Sequence, residues 1–330
     1  WWSDRSGRPQ LVLSFYFLAT AVLLVVLPHL DGLVQLGIGY FLLQVAFLPV
    51  APLSQTIVLL RSCRTHGDFL AIRAMETSGF FLVTLLLWSV LRSPAHLPLA
   101  YAGMAGLLLL SLPVFGLVSA APVLKRDEAP LRLKEVVGCL WRKDLRVVYW
   151  AGGFGFLGSS MATSVLGNFV TGPLRGEVND ISRAWALATG CEIFLMFAAI
   201  PFLRRFGVRW LVLLGLSSMC VRWLWVALAP DYSSFLGAQI LHGVMVAGFF
   251  TGQNLFLARL LPPGRVSSGT TLASALNGGV MSIAGTFLAG QIWLHFGLRT
   301  VFLAAAATSL LALAFFWVFA PRLPNEGRKT

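Results

Sequence analysis

Long apolar stretches recur along the chain, and they constrain its fold more than any other feature of the sequence. Hydrophobic residues make up 57% of the 330 residues and charged residues only 12%, whereas charged residues make up about 25% of a soluble domain. A helix needs about 20 apolar residues to cross a bilayer core about 30 Å thick. Ten stretches approach this length, at residues 11–30, 34–58, 74–91, 97–120, 147–170, 184–203, 210–229, 234–257, 270–294 and 300–320. The sequence therefore predicts an all-α integral membrane protein.

The distribution of Lys and Arg predicts how these spans are oriented. The segments that share a side with the N-terminus hold 20 of the 25 Lys and Arg residues. Because cytoplasmic loops carry an excess of positive charge, we expect a multi-pass protein of the cytoplasmic (inner) membrane with both termini in the cytoplasm. The same bias accounts for the net charge of +12, so nucleic acid is not an expected partner.

Three successive spans in the second half each carry one ionisable side chain: Glu192, Arg222 and His242. A charge at bilayer depth costs about 2.5 to 3.5 kcal/mol or more, so such residues are functional candidates. At about 1.5 Å per residue, Glu192 and His242 lie roughly 12 Å and Arg222 roughly 10 Å from the outer ends of their spans. We therefore expect the three side chains to occupy one layer.

An internal repeat divides the chain. The loop Arg204 to Arg209 resembles the opening residues Asp4 to Arg8, and each loop is followed by four spans. The second loop is also preceded by two spans that follow a long charged segment. Two helices are then expected to be missing before the first loop. The expected division is 1–120 for the N-terminal half, 121–146 for a cytoplasmic central loop and 147–330 for the C-terminal half.

This organisation resembles the major facilitator superfamily. The run Asp-Arg-x-Gly-Arg at the start is similar to the family's loop between its second and third helices. The resemblance implies ten of twelve helices, numbers three to six and seven to twelve, in two pseudo-symmetric halves with a substrate site between them near the midplane. It also implies a gating loop formed by Asp4, Arg5, Gly7 and Arg8, although a plain positively charged turn explains these residues equally well.

Residues 51–80 resemble lactose permease and its relatives, the phenylpropionate permeases and nucleoside:proton symporters. Arg73 matches the family's substrate-binding Arg, but Gln55 replaces the acidic residue that normally stands eighteen positions earlier. Glu76 lies three residues after Arg73, on the same helical face. We expect Glu76 to take over the lost carboxylate. The implied substrate site comprises Arg73, Gln55, Glu76 and Glu192. The alternative is an interfacial arginine with a local partner.

The same resemblance implies that Glu192, Arg222 and His242 couple transport to protons. The interval of twenty residues between the family's Arg and His is reproduced, but Gln239 and Met245 stand where the family has a Lys and a second carboxylate. The alternative to coupling is a static buried ion pair between Glu192 and Arg222, with His242 hydrogen-bonded nearby.

The expected function is proton-coupled symport of a small polar or anionic organic solute, such as an aromatic acid, a nucleoside or a sugar, by alternating access. The expected partners are that solute, the proton and the lipid bilayer, and the expected state is a monomer. An enzyme is not expected, because the sequence has no His-Glu-x-x-His or paired-Asp protease pattern. No metal or cofactor is expected, because the four cysteines are scattered. An uncoupled facilitator and a non-transporting, receptor-like or degenerate homologue remain alternatives.

Overall fold

A computed structural model of the chain describes residues 9–51, 53, 54, 66–90, 97–117, 137–262 and 265–322. These segments are helical and contain no strand. Their long helices are α1 (Pro9–Val26), α2 (Leu33–Phe47), α3 (His66–Val90), α4 (Leu97–Leu117), α5 (Arg146–Thr171), α6 (Val178–Phe206), α7 (Val208–Leu228), α8 (Tyr232–Leu260), α9 (Val266–Ser274, Ala275–Met281 and Ser282–Phe296) and α10 (Leu298–Phe319).

The expected all-α membrane fold is confirmed. Seven of the described helices are long and apolar enough to cross a bilayer, namely α1, α3, α6, α7, α8, α9 and α10. α2 and α4 contain shorter apolar helices, at Val34–Phe47 and Pro98–Pro113. α5 is 26 residues long, but its many Gly, Ser and Thr residues make it less apolar than these seven.

α3 begins earlier than the sequence predicts. The helix starts at His66, eight residues before the expected span at 74–91, because polar residues such as Asp68 and Arg73 are accommodated in its first turns. Arg73 therefore lies within a helix and not in a loop.

Side chains and one glycine fix where α6, α7 and α8 begin and end. Glu177 and Asp180 form a capping box at the start of α6, and the Asp231 carboxylate accepts a hydrogen bond from the Ser234 backbone amide at 2.8 Å at the start of α8, as expected for helix N-caps. α6 and α7 are joined through Gly207 alone, whose φ of 85° is readily adopted only by glycine. This tight turn places the two helices side by side in antiparallel orientation.

The largest core lies among the helices after residue 137, and α3 packs against it. Phe69, Leu70 and Ala74 of α3 are buried in the same cluster as side chains of α5 to α10. Other residues before 118 form two smaller buried clusters, one of which includes Ala21, Leu43 and Ala105. α3 therefore belongs to the packing of the C-terminal core, where it lies along α6.

Two of the long helices contain π-helical segments, at Val246–Thr251 in α8 and Ala275–Met281 in α9. π-helical turns are rare in proteins, and those that occur are often found at functional sites. The segment in α8 begins four residues after His242, so it lies next to the ionisable residues of the apolar spans.

Candidate functional site

α6, α7 and α8 bring Glu192, Arg222 and His242 into one cluster. His242 Nε2 lies 3.6 Å from Glu192 Oε2, and Arg222 Nη1 lies 2.9 Å from His242 Nδ1. All three side chains are buried, with Arg222 fully inaccessible. Glu192 is the fifteenth of the 29 residues of α6, so the cluster forms at the middle of that helix.

Glu192 and Arg222 do not form the direct ion pair that the static alternative requires. His242 lies between them and contacts both. The contacts of the Arg222 guanidinium are instead Gln239 Oε1 at 2.6 Å, His242 Nδ1 at 2.9 Å and Met245 Sδ at 3.8 Å. The positively charged guanidinium is therefore stabilised by neutral acceptors. Its central carbon also lies 4.3 Å from the centre of the Trp223 ring.

The hydrogen bond from Arg222 determines the tautomer of His242. A guanidinium can only donate hydrogen bonds, so Nδ1 of His242 must accept. The imidazole is then neutral, and its single N–H is at Nε2, the nitrogen nearest Glu192. The edge-to-face contact with Trp185, at a ring separation of 5.6 Å, supports this ring orientation. His242 thus faces the Glu192 carboxylate with its N–H and the Arg222 guanidinium with its unprotonated nitrogen.

Glu192 also connects two helices of different parts of the chain. Its Oε1 accepts a hydrogen bond from the Thr77 hydroxyl of α3 at 2.6 Å, and this contact is buried. The carboxylate thus contacts α3 through one oxygen and His242 of α8 through the other. A change in the charge of Glu192 would alter contacts with two neighbouring helices at once.

Gly243 lets α8 come close enough to α6 for this arrangement. A Cβ atom at residue 243 would lie 2.7 Å from Glu192 Cα and 2.9 Å from Glu192 N, which is closer than real Cβ atoms approach backbone. The glycine therefore allows the backbones to touch beside His242. Larger residues here would separate Glu192 from His242.

Arg73 and Glu76 form an ion pair on α3, as their spacing predicts. Arg73 is partly buried, whereas Glu76 is more exposed. Thr77 is four residues after Arg73 and so lies on the same helical face. The pair therefore lies about one helical turn from the contact between Thr77 and Glu192. The other predicted site residues, Gln55 and the gating residues Asp4, Arg5, Gly7 and Arg8, lie outside the described residues.

Several residues of this cluster were not predicted as contacts from the sequence. Gln239 and Met245 look like lost family positions in the sequence, but both contact the Arg222 guanidinium. The spacing of Gln239, three residues before His242, is the signal that places it on the same helical face. No sequence signal identifies the Thr77 bond to Glu192, because it depends on how α3 and α6 pack.

A second buried polar cluster lies among the helices after residue 137. Gln253 donates a hydrogen bond to the Val148 carbonyl oxygen and accepts one from the Asn277 amide, each at 3.0 Å. This cluster joins α5, α8 and α9 next to both π-helical segments. No group of three potential metal-ligating His, Cys, Asp or Glu side chains occurs in the portion of the chain that the structure covers.

Buried ionisable groups within a bundle of apolar helices are typical of secondary transporters, and comparisons with known proteins define the class. The sequence matches the MFS_1 like family over residues 1–304, and the chain belongs to this family. It is 26% identical over 285 residues to a maltose permease of Geobacillus stearothermophilus, covering 85% of this chain and 70% of the permease.

Solved structures give the same fold. The nucleoside transporter NupG has a TM-score of 0.66 and 15% identity, covering 96% of this chain and 84% of NupG. The E. coli fucose:proton symporter FucP has a TM-score of 0.64 and 12% identity, covering 97% of this chain and 86% of FucP. The chain is thus a multi-pass membrane protein with the fold of major facilitator superfamily transporters, and its family is one of transporters and not of enzymes.

Proposed function

We propose that this protein is a proton-coupled symporter that carries a small polar or anionic organic solute across the cytoplasmic membrane by alternating access. The observation that carries the proposal is the buried position of Glu192 between Thr77 and His242. When a carboxylate in that position gains or loses a proton, both its hydrogen bond with Thr77 of α3 and its electrostatic contact with His242 of α8 change. It is therefore suited to link protonation to helix movement.

The chemistry of the cluster supports a sequence of events. Ionised Glu192 accepts hydrogen bonds only, so it favours the Thr77 hydroxyl and the Nε2–H of His242. Protonated Glu192 has lost its charge and becomes a donor through one oxygen, which weakens both contacts. Arg222, held by the neutral acceptors Gln239 and His242, can then move without breaking an ion pair. Movement of Arg222 toward Glu192 would favour release of the proton.

The moving units in this proposal are the halves 1–120 and 147–330, joined by the loop at 121–146. The packing of α3 against α6 supports α3 as part of the contact between them. Protonation of Glu192 would release the Thr77 contact and favour separation of α3 from α6. The substrate would enter when these helices separate on one side of the membrane.

The proposed cargo is a hydroxyl-bearing solute, such as a sugar or a nucleoside. The relatives support this class, since their names refer to maltose, nucleosides and fucose. Arg73 and Glu76 supply a donor fork and an acceptor, which suit neighbouring hydroxyl groups. Glu192 and Gln55 complete the proposed substrate-binding set. Asp4, Arg5, Gly7 and Arg8 are proposed to form the gating loop.

The proposed orientation has both termini in the cytoplasm, and the proposed state is a monomer. The excess of Lys and Arg on the side of the N-terminus supports this orientation.

The test is transport by purified protein in proteoliposomes. A panel of labelled sugars, nucleosides and aromatic acids is offered with and without an inward proton gradient. The proposal expects one class to accumulate above its external concentration, and an uncoupler to abolish the accumulation. Equilibration without accumulation would indicate an uncoupled facilitator. Tight binding without flux would indicate a receptor-like protein.

A further inference from the structure

An apolar groove lies between α6, α7 and α10, and none of the residues that line it belongs to the proposed transport site. Its volume is about 490 Å³, and its walls include Phe202, Trp210, Leu214, Leu310 and Trp317. This volume is within the range of about 300–1,000 Å³ that ligand sites occupy. Among the described residues that line it, none is charged and Ser217 is the one that carries a hydroxyl group. The groove therefore suits a hydrocarbon chain and not a polar solute.

The groove reaches one end of the helices, where arginines are concentrated. α6 ends with Arg204 and Arg205 in its last turn, and a single residue, Gly207, separates it from α7. Arg209 Nη2 donates to the Trp317 carbonyl oxygen of α10 at 2.9 Å. The three helix ends therefore meet at the same membrane face, directly beside the groove.

The arginines at this face are available to an anion. Arg204 and Arg205 are exposed, and neither forms an ion pair with a carboxylate of the described segments. Arg205 lies 5.1 Å from the centre of the Phe206 ring, which leaves its guanidinium near the surface. Trp210 and Trp317 pack edge to face at 5.6 Å, and aromatic side chains of this kind concentrate at the level of lipid headgroups.

We propose that this groove binds one acyl chain of an anionic glycerophospholipid whose phosphate is held by Arg204 and Arg205. The apolar walls select a lipid chain, and the two exposed arginines select a negatively charged headgroup. A zwitterionic lipid such as phosphatidylcholine would also fill the groove, but the choline cation beside its phosphate weakens the attraction of that phosphate to the arginines. Each basic side chain near an anionic lipid surface contributes about fivefold in affinity.

The test uses the full chain in nanodiscs of phosphatidylcholine that contain increasing fractions of brominated phosphatidylglycerol, with brominated phosphatidylcholine as the comparison lipid. Bromine quenches tryptophan fluorescence at short range, so Trp210 and Trp317 report occupancy of the groove. The part of the signal that is absent from the Trp210→Phe, Trp317→Phe double variant belongs to these two residues. We expect brominated phosphatidylglycerol to quench the fluorescence of these two tryptophans at a lower lipid fraction than brominated phosphatidylcholine does. The difference should be at least about fivefold.

Two pairs of variants separate the headgroup from the chain. Arg204→Gln with Arg205→Gln should move the phosphatidylglycerol curve onto the phosphatidylcholine curve, whereas Lys143→Gln with Arg146→Gln, exposed on the same membrane face, should not. Ala314→Phe, which fills the groove, should abolish the saturable quenching, and Ala307→Phe, an exposed alanine of the same helix outside the groove, should leave it unchanged.

Three results would overturn the proposal. Equal quenching by the two brominated lipids would show that the arginines do not select a headgroup with net negative charge. Undiminished quenching in Ala314→Phe would show that the chain does not enter the groove. A protein that migrates as a dimer with Trp210 protected from both lipids would show that the groove is covered by a second copy of the chain.

Discussion

Arg73 and Arg222 both lie on apolar helices, but they are stabilised in opposite ways. Arg73 is partly buried and forms an ion pair with Glu76 one turn away on the same helix. Arg222 is fully buried and contacts neutral groups of α8 as well as the face of Trp223. Arg222 does not contact the Glu192 carboxylate directly, because His242 lies between the two side chains. Arg73 thus has a local partner, whereas Arg222 belongs to a network spanning three helices.

The difference teaches what each region can do. A local pair on an exposed face contributes little to stability and can exchange its partner for a substrate group. A buried guanidinium held by neutral acceptors has no carboxylate to fix it, and its position depends on its neighbours' hydrogen bonding. The Arg222 network is therefore the candidate for coupling, and the Arg73 pair is the candidate for recognition.

The largest expected effect comes from removing the buried guanidinium. Arg222→Met removes the donor to Gln239 and His242, and hydrogen bonds to a charged group contribute about 1.5–3 kcal/mol each. We expect proton-driven accumulation in proteoliposomes to fall about 100-fold or more, while the protein still folds, because an apolar side chain can replace a buried charge. Arg73→Met is the matched control and should lower accumulation less. A larger loss in Arg73→Met would reverse the comparison.

The next effect concerns the approach of α8 to α6. In Gly243→Ala the new methyl group would lie 2.7 Å from Glu192 Cα, so the helices must separate. We expect a loss of about 1–3 kcal/mol in the free energy of unfolding, seen as a lower melting temperature in detergent. Gly290→Ala, which meets no atom within 4 Å, should leave it nearly unchanged. Equal melting of the two variants would show that the close contact is unimportant.

A smaller effect is expected from the contact between α3 and α6. Thr77→Val keeps the shape of the side chain but removes the hydroxyl that donates to Glu192. We expect the initial rate of transport to fall about tenfold, since one hydrogen bond to a charged group is lost, and Thr77→Ser to restore it. Ser78→Ala removes a hydroxyl that bonds only the Ala74 carbonyl of its own helix. The same loss in Ser78→Ala would mean that the bond to Glu192 has no special role.

The smallest effect is expected at the local pair. Glu76→Gln removes the charge that balances Arg73, and exposed pairs contribute about 0.2–1 kcal/mol. We expect up to about a fivefold increase in KM for the transported solute, with proton-driven accumulation retained. Uptake by Glu76→Gln at the wild-type rate and affinity would remove Glu76 from the proposed substrate site.

Much of the fold and part of the site could be predicted from the sequence. Apolar runs identify the helices, because the bilayer requires long apolar segments whatever their neighbours are. The pair of Arg73 and Glu76 could be predicted because residues three apart share a helical face. The layer of Glu192, Arg222 and His242 follows from similar depths in successive spans, although their roles stay predictions.

The other contacts of the site depend on how each helix is rotated about its axis and how closely it approaches its neighbours. The position of His242 between Glu192 and Arg222, the bond from Thr77 and the contacts of Gln239 with Arg222 are set by packing between helices, which periodicity along one helix does not specify. The π-helical segments likewise arise where helices adjust to each other.

The central claim is that Glu192 carries the coupled proton. The most direct measurement compares two activities of Glu192→Gln in proteoliposomes, exchange of labelled substrate at equal concentrations and accumulation driven by an inward proton gradient. Glutamine keeps the shape and hydrogen-bonding capacity of the side chain but cannot exchange a proton. The account predicts that exchange persists while accumulation is lost. Accumulation at the wild-type level by this variant would contradict it.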